Sequence, residues 1–242
     1  MSEFYVGYQP KAPRRLGRFV GRVAAALIGL SVGVSLVLVS AQSPFADSKF
    51  NYLRYTDQEG VLIREPYPTL LTREGDFLIV GPGKHGADSL VQGLNLRRVR
   101  LKGSLIHRGQ DSMLEILPGS VHPTGGPVDP GPTTSLGPLT LAGEIVDSKC
   151  YLGVMNPGSG KIHRDCAVRC ISGGIPPAFI VKDSMGRLRT LLLTGAGGRK
   201  LNLEVLDLVA EPVRISGQLF RSGERLILQA EPSDFRRLPT RE

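Results

Sequence analysis

From Val23 to Val39 the sequence runs VAAALIGLSVGVSLVLV without a charged residue, and no apolar stretch of comparable length follows it. Seventeen such residues approach the ~20 that a membrane-spanning helix requires. Downstream the apolar positions come in short groups: Phe77-Leu78-Ile79-Val80, Leu105-Ile106, Ala178-Phe179-Ile180-Val181 and Leu219-Phe220, separated by glycines and polar residues. Short runs of Val, Ile, Leu and Phe bounded by turn residues predict β-strands. Few segments carry a helical period, so the chain is expected to be mainly β.

The strand pattern occurs twice. Val99-Arg100-Leu101-Lys102-Gly103-Ser104-Leu105-Ile106 is echoed by Val213-Arg214-Ile215-Ser216-Gly217-Gln218-Leu219-Phe220, with Gly109 matching Gly223 and Leu114 matching Leu228. Each copy predicts a strand, a tight turn at its second glycine and a returning strand. Upstream, Gly60-Val61-Leu62-Ile63 matches Gly143-Glu144-Ile145-Val146, and Phe77–Val80 matches Ala178–Val181, each leading towards a Gly-rich stretch, GPGKHG or TGAGG. About five strands per copy suit a small barrel, and an OB-like barrel is the specific expectation. The expected organisation is a basic segment (1–22), an anchor or signal peptide (23–41), a connector (42–58), a first β module (59–117), a Pro/Gly-rich linker (118–139), a second β module (140–232) and a tail (233–242).

Charge assigns a side of the membrane to these modules. The net charge is +8; residues 1–22 carry five basic side chains against Glu3, so half of it precedes the apolar run. Basic residues on that flank place the N-terminus in the cytoplasm and the rest across the membrane. Val39-Ser40-Ala41 also fits a signal-peptidase site, so a cleaved signal stands beside an uncleaved anchor. Tyr5, Tyr8, Phe19 and Phe45 flank the run as candidate interface residues. The exported part has no basic stripe interleaved with aromatics, which argues against a nucleic-acid binder.

The densest chemistry lies in KCYLGVMNPGSGKIHRDCAVRC, which holds all three cysteines. HRDCAVRCIS, stopped by Gly173-Gly174, predicts a short helix inserted between a first strand, AGEIVDS, and a later one, AFIVKD. On it His163, Cys166 and Cys170 stand at i, i+3 and i+7 and share a face that Cys150 can approach. A Cys3His set of Cys150, His163, Cys166 and Cys170 would suit zinc or copper. An exported setting equally suits a disulfide from Cys150 to Cys166 or Cys170, with one thiol left over. A nucleophilic cysteine with His163 as base is a further option, for which no orienting residue is evident; Asp147 and Asp165 are capping candidates. Gly81–Gly86 lacks the P-loop arrangement and predicts a tight turn. His85, His107 and His122 are scattered without ligand spacing.

In GEIVDSKC, HRDCAVRC and SGGIPPAFIV the chain resembles a group of bacterial exported or membrane-anchored OB-like β domains with a Gly-x-Ile-x-Asp-x-x-Cys strand and a later Cys-x3-Cys. The likeness covers about residues 140–230, the second module. It implies a bacterial inner-membrane or periplasmic setting and carries no activity.

These readings converge on a single-pass inner-membrane protein, N-terminus cytoplasmic, with two OB-like modules in the periplasm. The leading expectation is a non-catalytic accessory or binding protein acting with membrane or periplasmic partners, in metal handling or electron-transfer assembly. The alternatives are an exported redox or metal-dependent enzyme using His163 and the cysteines, and a structural envelope module stapled by a disulfide.

Overall fold

A computed structural model of the chain describes residues 13–42 and 48–239. Tyr5, Tyr8 and Phe45 lie outside the described residues. Helix α1 (Arg14–Ala41) forms one body and the strands form another. Its most apolar window has a mean hydropathy of 2.4, so it is long and apolar enough to cross a membrane. It starts inside the basic segment, directly after Pro13, and takes in Phe19. Gln42, in extended backbone, ends it.

The strands form two closed five-stranded barrels with the same ring order. The first comprises β1 (Ser48–Ile63), β2 (Thr69–Leu71), β3 (Asp76–Val80), β4 (Arg97–Arg108) and β5 (Asp111–Ile116). Neighbours pair antiparallel except β3 with β5, which run parallel, and β4 closes the ring on β1. Strand β6 (His122–Pro127) lies against the start of β4, where β5 does not reach. The second barrel comprises β7 (Thr134–Asp147), β8 (Pro177–Lys182), β9 (Leu188–Thr194), β10 (Pro212–Ser222) and β11 (Arg225–Gln229). Its ring is the same, with β9 parallel to β11 and β10 closing on β7, and β12 (Phe235–Arg237) takes the place of β6. The repeated hairpins fall on β4–β5 and β10–β11. Their two-residue turns open on Gly109 and Gly223, both at φ +57, the backbone that a glycine-first hairpin turn requires.

Several sequence expectations need correcting. Strand β1 starts at Ser48, within the expected connector: its first half is largely exposed, apart from half-buried Ser48, Phe50 and Asn51, and bulges between Phe50 and Tyr55, so it carries no apolar alternation. The Pro/Gly-rich linker is not wholly irregular, since β6 and the start of β7 lie in it. Strand β6 is an exposed edge strand, where proline and glycine are tolerated. Phe77–Val80 is the third strand of its barrel and Ala178–Val181 the second strand of the other, so the counterpart of β3 is β9. The sequence likeness misleads because β8 and β9 each hold an unbroken apolar run, Ala178–Val181 and Leu191–Leu193.

Those runs have a physical cause in a third core. Ile79, Leu114, Leu62 and Leu101 fill the first barrel, and Phe179, Val181, Leu191, Leu193 and Ile215 fill the second. The alternate residues point outward: Leu78, Val80, Ile106 and Met113 from one barrel meet Val146, Ala178, Ile180 and Leu192 from the other. Successive strand residues face opposite ways, so a strand buried on both faces reads as an unbroken apolar run. Each large aliphatic side chain moved out of water there contributes roughly 1.5–3 kcal/mol. The barrels are therefore pressed together along an apolar seam. Tyr67 crosses it, its hydroxyl donating to Asn202 Oδ1 at 2.9 Å and accepting from Leu201 N–H at 3.1 Å.

Candidate thiol and metal site

The insertion between β7 and β8 sits in this seam and brings the cysteines with it. Strand β7 ends at Asp147, and the chain then makes a single wide helical turn, Cys150–Val154, closed by Met155 N–H on Cys150 O at 3.1 Å. Asp147 Oδ1 caps the turn, accepting from Cys150 N–H at 2.7 Å. A short turn, Lys161–His163, leads into helix α2 (Arg164–Ser172), which Gly173 terminates as expected. Cys166 and Cys170, one helical turn apart, share a face directed at Cys150. Asp165 is exposed in the first turn of α2, away from the thiols.

The three sulfur atoms lie within 4.8 Å of one another, with Cys150 Sγ and Cys166 Sγ 4.0 Å apart. All three thiols are free; Cys150 and Cys170 are buried and Cys166 is half-buried. Metal–sulfur bonds of about 2.3 Å hold sulfurs about 4 Å apart, so the spacing is one a thiophilic ion bridges. A disulfide between Cys150 and Cys166 needs the sulfurs to close to about 2.05 Å.

His163 does not join the three sulfurs. Its Nε2 lies 2.9 Å from Asp147 Oδ2, and it forms a second buried group with Asp147 and Cys150 only. The expected face of His163, Cys166 and Cys170 is broken because His163 stands just before α2 and turns to the carboxylate. His85, His107 and His122 belong to neither group; among the described residues these two are the clusters of metal-ligating side chains.

Two residues that the sequence did not suggest join the site, Lys84 from the first barrel and Lys149 from the insertion itself. The Gly81–Gly86 turn between β3 and β4 rests on the end of α2, with Gly86 N–H donating to Gly173 O at 2.9 Å. The approach is so close that a Cβ on Gly173 would fall 2.0 Å from Lys84 O. This contact carries exposed Lys84 to the thiols, where Nζ donates to Cys166 Sγ at 2.8 Å and lies 3.8 Å from Cys170 Sγ. Next to Cys150, buried Lys149 reaches the other way. Its Nζ donates to Gly81 O at 2.8 Å and Gly83 O at 2.6 Å and pairs with Glu115 of β5. Only the lone KH dipeptide inside a glycine-rich turn hinted at Lys84, and nothing local distinguishes Lys149.

Electrostatics divide the thiols. Cys170 is lowered from its ordinary value near 9, first by the hydrogen bond from Cys150 and further by Lys84. Cys150 is raised well above it, because it donates that bond, is buried, and faces Asp147. Lys84 is raised by its hydrogen bond to Cys166.

Asp147 supplies the orienting residue that a Cys–His nucleophile would need, since it holds His163 beside Cys150. Catalysis of that type also needs an accessible thiolate. Here Cys150 and His163 are each 4% exposed, Asp147 is fully enclosed, and the thiol is the protonated one.

No family model, curated protein or solved structure matches the chain. Its functional interpretation accordingly rests on the geometry of the seam.

Proposed function

We propose that this chain is a membrane-tethered, non-catalytic accessory protein that holds a thiophilic metal ion, zinc or copper, between Cys150, Cys166 and Cys170. The observation that carries this reading is the convergence of three free sulfurs within 4.8 Å at the seam of two barrels. Soft thiolates favour Zn and Cu(I) over harder ions. Cys166 is the half-buried member, so exchange with a partner runs through it. The basic flank of α1 supports a cytoplasmic N-terminus, with the barrels in the bacterial periplasm and membrane or periplasmic proteins as partners.

Within the site, Asp147 fixes the Cys150 turn through its backbone N–H, and Lys149 pins the same turn to the first barrel. The rigid turn and the helix present their sulfurs without further folding, which lowers the entropic cost of capturing an ion. When bound, the ion supplies a soft Lewis-acid centre.

The test is metal analysis and thiol counting on one sample of the exported fragment, from Asp47 onward, recovered from the periplasm. About one equivalent of zinc or copper per chain, lost in Cys166→Ser, is the expected result. Metal-free protein with one free thiol per chain would sink the reading. That outcome belongs to the second reading, a redox or structural disulfide between Cys150 and Cys166, the pair whose sulfurs lie 4.0 Å apart.

A further inference from the structure

We infer that the site takes a soft monovalent ion of the Cu(I) type in a three-coordinate thiolate geometry, and that Lys84 of the first barrel sets this selectivity. The inference rests on the metal-holding reading above and narrows it.

The donor count is the first argument. A structural Zn(II) site is closed by four ligands, and where the protein offers three, water takes the fourth place. Among the described His, Cys, Asp and Glu residues no fourth side-chain donor lies within 4.8 Å of all three sulfurs; Asp147 and His163 reach that distance from Cys150 Sγ alone. His163 is the nearest in sequence and chemistry, but its Nε2 is engaged by Asp147, whose carboxylate is fully enclosed. Drawing the ring across to the sulfurs would strand that carboxylate in the core without its partner, an arrangement proteins avoid.

The second argument is what stands in the open direction. Lys84 Nζ lies 2.8 Å from Cys166 Sγ and 3.8 Å from Cys170 Sγ, so the solvent side of the sulfur triangle is covered by an ammonium group. An ammonium is a donor only and has no lone pair to offer a metal. It excludes a water ligand from that position and repels a dication more than a monocation. Three thiolates with no fourth donor satisfy Cu(I), a soft ion content with low coordination, and leave Zn(II) incomplete. Lys84 is held there by backbone rather than by chance. The Gly86–Gly173 contact allows no side chain on either residue, since a Cβ on Gly86 would meet Gly174 O at 2.4 Å. Both barrels thus contribute to one site, the second the ligands and the first the group that limits their number.

The experiment uses the full-length protein in detergent, reduced and free of oxygen. Cu(I) is titrated against bicinchoninate, Zn(II) against a chromophoric zinc chelator, and x-ray absorption counts the sulfurs on bound copper. Wild type is expected to bind one Cu(I) with three sulfur neighbours. Lys84→Gln, at an exposed position where the fold is retained, is expected to raise Zn(II) affinity at least tenfold and leave Cu(I) affinity within threefold. Lys84→Arg, which keeps the charge, is expected to behave as wild type. Four-coordinate Zn(II) in wild type that is lost in His163→Ala would overturn the inference while leaving the metal-holding reading intact. An unchanged Zn(II) affinity in Lys84→Gln would overturn the role given to Lys84. Failure to bind either ion would overturn the metal-holding reading itself.

Discussion

Lys149 Nζ lies 2.5 Å from Glu115 Oε2, joining the residue beside the first cysteine to a central strand of the other barrel. Both side chains are almost fully enclosed, at 3% and 8% exposure, and the lysine fills its remaining donor sites with two carbonyls of the Gly81–Gly86 turn. A buried pair of this kind is costly to form and more costly to break singly.

Lys149→Met and Glu115→Gln should each therefore destabilise the protein by roughly 3–5 kcal/mol, since each leaves a charge without its partner. The double replacement Lys149→Met with Glu115→Leu should recover most of that loss. Urea unfolding of the fragment from Asp47 onward measures both, and a double replacement no more stable than Lys149→Met alone would refute the pairing.

The backbone contact beneath Lys84 makes a separate prediction. Gly173→Ala places a methyl 2.0 Å from Lys84 O, so the Gly81–Gly86 turn must move. Forced repacking of this sort costs about 1–3 kcal/mol. Gly126→Ala, where the new methyl meets nothing within 4 Å, should change stability by less than about 0.5 kcal/mol. Equal melting temperatures for the two variants would contradict the close approach.

Tyr67 links stability to pH at the alkaline end. Burial raises its phenol above the ordinary value of 10, so the folded protein holds this proton more tightly than the unfolded chain does. The resulting stability is complete below pH 10 and is lost as pH rises beyond it. Tyr67→Phe should lose about 1–3 kcal/mol at neutral pH, because Leu201 N–H and Asn202 lose their buried partner. Its stability should then fall less steeply above pH 10 than that of wild type. Denaturant midpoints from pH 7 to 11 decide this, and parallel curves would count against it.

Oxidation should act selectively on the thiols. Diamide, a two-electron oxidant, should join Cys150 to Cys166, the pair 4.0 Å apart, and leave one titratable thiol. Prior loading with Cu(I) or Zn(II) should slow the reaction at least tenfold, because the ion engages the same sulfurs. Peptide mapping identifies the bond, and a bond between chains instead would argue against the convergence within one chain.

Much of the architecture was legible in the sequence because it follows local rules. The hairpin glycines at 109 and 223, the glycine stop at 173 and the short apolar runs each depend on neighbours in the chain. The third core was only half legible: unbroken runs such as Ala178–Val181 require burial on both faces but do not say against what. The second barrel's long insertion after Asp147 also shifted the alignment of the copies, so β3 was matched to β8 instead of β9. At the site, the three cysteines and the inserted helix were evident, whereas Lys84, Lys149 and the engagement of Asp147 with His163 were not. Each of these depends on a single long-range contact, and a lone lysine in a glycine-rich turn has the same local signature whether it faces water or a thiol.

The apolar seam also bears on how such a molecule can change over generations. A solitary barrel of this topology keeps the outer side of its sheet wettable, but here Leu78, Val80, Ile180 and Leu192 have made those outer sides interior. Neither half could stand alone without rewriting that face, and a truncated gene encoding one barrel would yield a sticky, aggregation-prone product. The cysteine-free barrel is thereby kept under the same selection as its partner, although it contributes no sulfur to the cluster.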